Sequence, residues 1–403
     1  MNQQIQNLKG FRDFLPDQAA RRKWLRDRLA QICEQWGFAP LETPTLEPLE
    51  LFTGQIGEDE KLFFKFKDQG GREVALRYDQ TVPTCRVVAE YQNTLTFPFK
   101  RYQIQPAFRA EKPQKGRYRE FVQCDADIFG IKTPDADAET IALSLDIYRQ
   151  LGFKKVIAKI SSRELLKGIP YPAIVAIDKM KKIGNDGVIA EMIQKGIAEK
   201  DAREYISVVT NLKPNDEITT IMKYLKTYGF PDDWYQFDPT ITRSFSYSVG
   251  PMWEIVIPEY GDSSVLGGER YDGMLEKFAG RDIGGTGFGL GFDRTLEAVE
   301  SCGLLPNLRN NAQVLITILT PSLQDDAIQI SADLRKENID TELYTDPNTK
   351  LEKQLKYADR KGIPYVILQG PDELSKNVVQ LKNMKTGKSD ILTIEEVMKK
   401  LKT

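Results

Sequence analysis

Apolar residues fall at helical spacing soon after the start of the chain. Trp24, Leu25, Leu29, Ile32, Cys33 and Trp36 share one face, which predicts an amphipathic helix closed by Gly37. Asp17, after Pro16, is its expected N-cap. A short extended run from Phe38 to Pro44 follows. Segments 74–78, 97–108 and 119–130 have strand texture, and the last two bracket a polar, basic loop at 109–118. That pattern predicts an antiparallel hairpin with a long positive tip. Residues 136–152 return to an amphipathic helical period, and 160–232 continue in charged helical stretches such as GVIAEMIQKGIAEKDAREYISVV. Strand texture resumes near 238, in Phe245–Val249 and Met252–Ile257. A glycine-rich stretch at 261–291 and a helix from Arg294 come next.

After a linker at Leu304–Asn311 the pattern alternates. VLITIL, DTELYTD and PYVILQG are expected strands, and 321–337, 350–361 and 391–402 expected helices. This predicts a small α/β domain with a mostly parallel sheet. The chain as a whole is expected to be multidomain α/β (α+β). Its parts are a first part of the core at 1–158, a helical insertion at 159–235, a second part of the core at 236–303, and a C-terminal domain at 304–403.

Composition narrows the chemistry. With 403 residues, 41% apolar and 28% charged, several soluble globular domains are expected. No apolar run is long enough for a membrane helix, and the opening MNQQIQNLKGFRDFLPDQ has no apolar signal core, so a cytoplasmic location is expected. Cys33, Cys85, Cys124 and Cys302 are far apart with no CxxC pair, which points to buried free thiols and to no metal site. A net charge of −2 leaves nucleic-acid contact to local patches. Above all, the chain contains no histidine. Ser-His-Asp and Cys-His hydrolysis, His-ligated zinc and imidazole acid–base catalysis are thereby excluded. Arginines, carboxylates, amides and tyrosines remain.

Those residue types concentrate in KRYQIQPAFRAEKPQKGRYREFVQCDADIFG, residues 100–130. Arg101, Arg109, Lys112, Lys115, Arg117 and Arg119 stand against Glu111 and Glu120. Alternation along a strand puts Arg109 with Glu111, Arg117 with Arg119, and Gln123 with Asp125 and Asp127. Guanidinium groups aimed at a shared cavity suit phosphate, and the second strand would line a polar pocket. GTGFGLG (285–291) lacks the P-loop pattern and instead suits close backbone approach.

FRAEKPQKGRYREFVQCDAD resembles the second signature motif of class II aminoacyl-tRNA synthetases in its histidyl form. LKGFRDFLPDQ followed by LETPTLEP resembles the opening and first motif, and GTGFGLGFDRTLEAVE the third. DQGGREVALRYDQTVP, TRSFSYSVGPMWEI and LGGERYDGM resemble amino-acid-binding segments, and KLEKQLKYADRKGIPYVILQGPDEL an anticodon-binding domain. The order of the motifs is the family's own over nearly the whole chain. The resemblance implies the class II antiparallel sheet flanked by helices, a homodimer built around the segment ending at Pro44, and partners ATP, tRNA and free histidine, with Mg2+. It also implies residue roles. Arg109, Glu111, Arg117, Phe121 and Arg294 would bind ATP. Asp79, Thr81, Gln123, Asp127, Arg243, Tyr247, Ser248 and Tyr271 would bind the amino acid. Arg243 and Arg109 would carry the catalysis.

Three positions depart from the family pattern. Ser248 stands where a second tyrosine is usual, Ser246 where an aspartate is usual, and Glu269 where a glycine is usual. They leave two alternatives to a histidine-attaching enzyme: a paralogue with altered amino-acid specificity, and a non-catalytic regulatory or tRNA-binding relative.

Overall fold

The computed structural model describes residues 5–54, 62–113, 117–243, 247–308 and 312–402. Lys115, Phe245, Ser246 and Asn311, named above, lie outside the described residues. The chain divides into two compact units, Met1–Pro306 and Asn307–Thr403, with the boundary inside the expected linker.

In the first unit the elements run α1 (Pro16–Gln35), β1 (Ala39–Pro40), β2 (Leu46–Pro48), β3 (Lys65–Lys67), β4 (Glu73–Leu76), α2 (Thr81–Tyr91), β5 (Phe99–Phe108), β6 (Glu120–Phe129) and α3 (Pro134–Gln150). After β7 (Ile157–Ser162) come α4 (Tyr171–Ile177), α5 (Met180–Gln194), α6 (Glu199–Thr210) and α7 (Asp216–Thr227). The unit ends with β8 (Tyr235–Phe237), β9 (Pro251–Ile257), β10 (Gly261–Arg270), α8 (Asp272–Ala279), β11 (Gly285–Gly291) and α9 (Phe292–Ser301). Eight strands form one sheet in the order β1-β5-β6-β11-β10-β9-β7-β8, antiparallel throughout except for the outermost pairs. A smaller sheet, β2-β4-β3, lies apart.

Helix α1 buries Leu25, Leu29, Ile32 and Cys33, the expected stripe. Its N-cap is Leu15, not Asp17. Pro16 takes the first turn, where it has no N–H to lose, and Asp17 sits inside that turn, a favourable place for a carboxylate. Helix α3 is buried almost all round rather than amphipathic, because it packs against the large sheet and also against α1 and α7. The helical stretch after β7 has a split allegiance. Helices α4 to α6 share a core of Ala173, Ile177, Val188, Met192, Ile206 and Val209. Ile218, Ile221 and Leu225 of α7 instead join the main core. Residues 247–249, expected in a strand, form none. The backbone at Arg243 has turned into the left-handed region (φ 46°), which ends any extended run there.

The second unit contains β12 (Val314–Ile316), α10 (Gln324–Lys336), β13 (Thr341–Leu343), α11 (Leu351–Lys361), β14 (Tyr365–Leu368), α12 (Pro371–Ser375), β15 (Val379–Asn383), β16 (Ser389–Leu392) and α13 (Ile394–Lys402). Its sheet, β13-β12-β14-β15-β16, is mixed rather than mostly parallel. The last two strands are a hairpin whose turn is held by Asn383 Oδ1, which accepts the N–H groups of Lys385 and Thr386, with Gly387 at φ 73°.

Candidate active site

The register of the large sheet builds the site. Residues directly opposite one another in antiparallel strands point to the same face. One row runs Met252 (β9), Glu269 (β10), Gly287 (β11), Asp127 (β6) and Arg101 (β5). The next runs Glu254, Gly267, Gly289, Asp125 and Gln103. Both rows place glycine at the centre and acids at the sides. A Cβ at Gly287 would lie 2.0 Å from Asp127 Oδ1, and one at Gly267 would lie 2.2 Å from Arg243 Nη1. The space above these two glycines is therefore already taken by the side chains of Asp127 and Arg243.

Over this floor opens a cavity of about 420 Å³. Asp79, Thr81, Arg109, Glu111, Arg117, Phe121, Gln123, Asp127, Arg243, Tyr247, Tyr271 and Arg294 all line it. The sequence places these residues more than 200 positions apart, and the fold brings them together. Cations occupy several walls. Arg109 donates Nε–H to the Tyr78 carbonyl (3.2 Å), and its guanidinium carbon lies 5.1 Å from the Phe121 ring centroid. Arg117 pairs with Glu111 at 3.4 Å, and Arg294 donates to the Ser264 carbonyl at 2.8 Å. Arg243 donates Nη2–H to Glu269 Oε1 at 3.3 Å.

The acids are deep. Burial pushes the Asp79 carboxyl up to about 6, despite an N–H from Val82 and the nearby charge of Arg109. Burial also raises Asp127 and Glu269, against the opposing pull of Arg101 and Arg243 respectively. Asp125 is driven well above the usual carboxylate range, first by burial, which outweighs the attraction of Arg101, and further by the charges of Asp127 and Asp79. Burial opposes the charge of Arg243, but Glu269 and Glu254 more than offset it and hold the guanidinium protonated.

The profile of the family described as Histidyl-tRNA synthetase matches residues 10–183 and 188–295, and that of the Anticodon binding domain matches 313–403. A histidine–tRNA ligase of Cytophaga hutchinsonii is 33% identical, with 98% of each chain covered. One of Christiangramia forsetii is 35% identical over 95% of this chain and 96% of its own. The crystal structure of histidyl-tRNA synthetase from Nostoc sp. PCC 7120 superposes with a TM-score of 0.82 at 25% identity, covering 99% of both chains.

The chain belongs to the histidyl-tRNA synthetase family.

Twelve of the thirteen residues assigned through the resemblance to that family line the one cavity; the exception is Ser248. Ser248 is 4% exposed and lies behind the wall, where its Oγ donates to Glu269 Oε2. With a short side chain at 248, it is Glu269 that reaches the cavity. The six cations of the basic hairpin do not all converge. Arg109 and Arg117 line the cavity, while Arg119 turns to the carbonyls of Glu111 and Lys9. Lys112 is not among the lining residues. Arg101 is fully buried and ion-pairs through Nη2 with Asp127 Oδ2. The signal for that pair was the alternation of polar residues along both strands, but partnering them required the register. Glu254, Asp125 and Glu269 are further acids of the cavity wall outside the assigned set.

Proposed function

We propose that this chain attaches histidine to its cognate tRNA through a histidyl-adenylate, in the single cavity that gathers Arg109, Arg243 and Arg294 with Asp79, Gln123 and Asp127. That gathering carries the reading. A carboxylate oxygen of the amino acid attacks the α-phosphorus of ATP, the bond to the bridging oxygen breaks, and pyrophosphate leaves. A terminal hydroxyl of tRNA then attacks the activated carbonyl and AMP departs. Neither nucleophile demands a strong base, so fixed positive charge and positioning suffice, and a chain without histidine loses nothing essential. In this scheme Arg109 holds the α-phosphate, with Phe121 beneath its guanidinium and Glu111 near the adenine, while Arg117 and Arg294 flank the outer phosphates. Arg243 bridges the amino-acid carboxylate and the α-phosphate. Asp79 and Thr81 grip the α-amino group, and Gln123, Asp127, Tyr247 and Tyr271 surround the side chain.

Among the described residues no group of three or more acidic or thiol side chains is arranged to cage a metal. Glu254 and Glu111, carboxylates of the cavity wall, would supply oxygen ligands to Mg2+ carried on the nucleotide phosphates. The ion, when bound, neutralises phosphate charge as pyrophosphate leaves.

The division into a core at 1–158 and 236–303, an insertion at 159–235 and an anticodon-binding domain at 304–403 belongs to the same reading. So does a cytoplasmic homodimer. Cys33, Cys85, Cys124 and Cys302 are all free thiols, as a reducing compartment favours. Near Pro44, Leu46 is an exposed apolar side chain (40%), as is Phe66 (49%), and both are suited to being covered by a second copy. No described helix is long and apolar enough to cross a membrane. A purely regulatory relative is disfavoured by the anticodon-binding match at 313–403.

ATP–pyrophosphate exchange with each amino acid in turn tests the reading. Exchange driven by histidine is expected. Exchange driven only by another amino acid would establish the altered-specificity paralogue, and none at all a non-catalytic role.

A further inference from the structure

The backbone of Arg243 lies in the left-handed region (φ 46°), a conformation that costs an arginine energy and persists only where neighbouring groups fix it. Arg163 is placed to do so. Its Nη1 donates to the Thr242 carbonyl at 3.0 Å and to the Arg243 carbonyl at 3.1 Å. Those two oxygens belong to the peptide planes on either side of the Arg243 Cα. The two soft dihedrals of a residue are the rotations between its flanking planes. Holding both oxygens on one nitrogen therefore fixes φ and ψ of Arg243 together, and with them the direction in which its side chain leaves the backbone. A guanidinium suits the task, because one nitrogen carries two hydrogens and the positive charge strengthens both bonds.

The clamp is itself anchored. Arg163 opens a helical turn, Arg163–Leu166, directly after β7. Its own N–H donates to the Gly250 carbonyl at 2.8 Å, beside the pairing of Ser162 with Pro251 that joins β7 to β9. Arg163 does not touch the cavity; it is not among the lining residues. The chain leading into Arg243 is tied to the same helical region. Ile241 belongs to the core that Leu166 shares with α4 to α6. Thr242 is fully buried, with Oγ1 3.4 Å from both the Ile174 carbonyl and Asp178 Oδ1. At the far end of the arginine, Glu269 accepts from Nη2. Burial raises the Glu269 carboxyl, and the charges of Arg243 and then Arg163 draw it back toward ionisation.

We propose, resting on the histidine-ligase reading above, that Arg163 is a positioning residue for adenylate formation. It holds the backbone of Arg243 in the conformation that aims the guanidinium over Gly267. The helical stretch after β7 thereby takes part in the first step of the reaction, although none of α4 to α6 lines the cavity.

The test is a double-variant cycle on the full-length protein, read as kcat for histidine-dependent ATP–pyrophosphate exchange. Arg163→Met should lower kcat roughly 10–100-fold, the loss expected when an aimed group is displaced. In the Arg243→Ala protein, which has no guanidinium left to aim, the same substitution should change the residual rate less than about threefold. Arg163→Lys keeps a cation there but replaces the planar fork with an ammonium. It should lose less, roughly three- to tenfold, and again only where Arg243 is present. This milder variant carries the cycle if Arg163→Met fails to fold. Equal losses with and without Arg243 would mark a residue that supports the fold at large and overturn the proposal. An unchanged rate in Arg163→Met would overturn it equally. Either result, with normal exchange in the unaltered protein, leaves the ligase reading standing. If the unaltered protein shows no histidine-dependent exchange, that reading itself fails, and this proposal with it.

Discussion

The guanidinium of Arg243 occupies the space in which a side chain at Gly267 would have to begin: a Cβ there would fall 2.2 Å from Nη1. The arginine itself stands at φ 46°, a backbone region that non-glycine residues rarely adopt and that costs on the order of 1 kcal/mol or more. Gly267→Ala should therefore displace Arg243 with little harm to the fold. Histidine-dependent pyrophosphate exchange should fall at least roughly tenfold, by loss of one aimed donor, while thermal unfolding changes little. Unchanged exchange would show that the arginine can move without consequence.

Removing Arg243 altogether is a harsher test. Arg243→Ala should lower the rate of adenylate formation by roughly 100–1,000-fold, the usual loss for a group that meets developing charge. Circular dichroism should remain that of the parent. Normal adenylation in this variant would show the assignment to be wrong.

Beneath the cavity, Arg101 and Asp127 form a fully buried pair. Taking away one partner strands the other, and breaking such a pair costs roughly 3–5 kcal/mol. Arg101→Met should depress the Tm sharply, and Arg101→Met combined with Asp127→Asn should recover much of the loss. Urea unfolding of the two single variants and the double variant measures the coupling. Additive effects would argue against a pair.

Asp79 gives the pH dependence. Its carboxyl, raised by burial to about 6 in the folded protein, starts from roughly 3.9 in an unfolded chain. The folded state holds this proton more tightly. Its contribution to stability is therefore complete below about pH 4 and is lost as pH rises through about 6. Asp79→Asn should flatten the decline of stability across that window. In the parent, the kcat/KM for histidine should rise over the same range, because only the ionised form attracts an ammonium. A profile without any inflection near 6 would count against Asp79 as the amino-group ligand.

Much of the site was legible because its residues lie on long, well-patterned elements. The β5–β6 hairpin was foreseen from 97–108 and 119–130, and its polar alternation put Gln123, Asp125 and Asp127 on one face. Other features had no local signature. Strands β2 and β3 have three residues each, too few for a period to emerge. The pairing of Arg101 with Asp127 depends on which residue of β5 faces which of β6, a matter of register rather than composition. Ser248 stands at the second tyrosine of the family motif, which assigns it to the pocket, yet it supports Glu269 from behind. The hairpin of β15 and β16 was missed because KNMKTGKSD reads as a polar loop until Asn383 and Gly387 are seen to close a turn.

Strand β11 carries glycine at 285, 287, 289 and 291, every second residue of the strand and so the whole of one face. The depth of the cavity is thus set by subtraction, from positions where no larger residue can be admitted. Such a lane is brittle to mutation, whereas the walls on β6 and β10 can exchange one side chain for another and still enclose the same hollow. Divergence in what the pocket accepts is channelled to those walls, and Glu269 on β10 is where this chain has used that latitude.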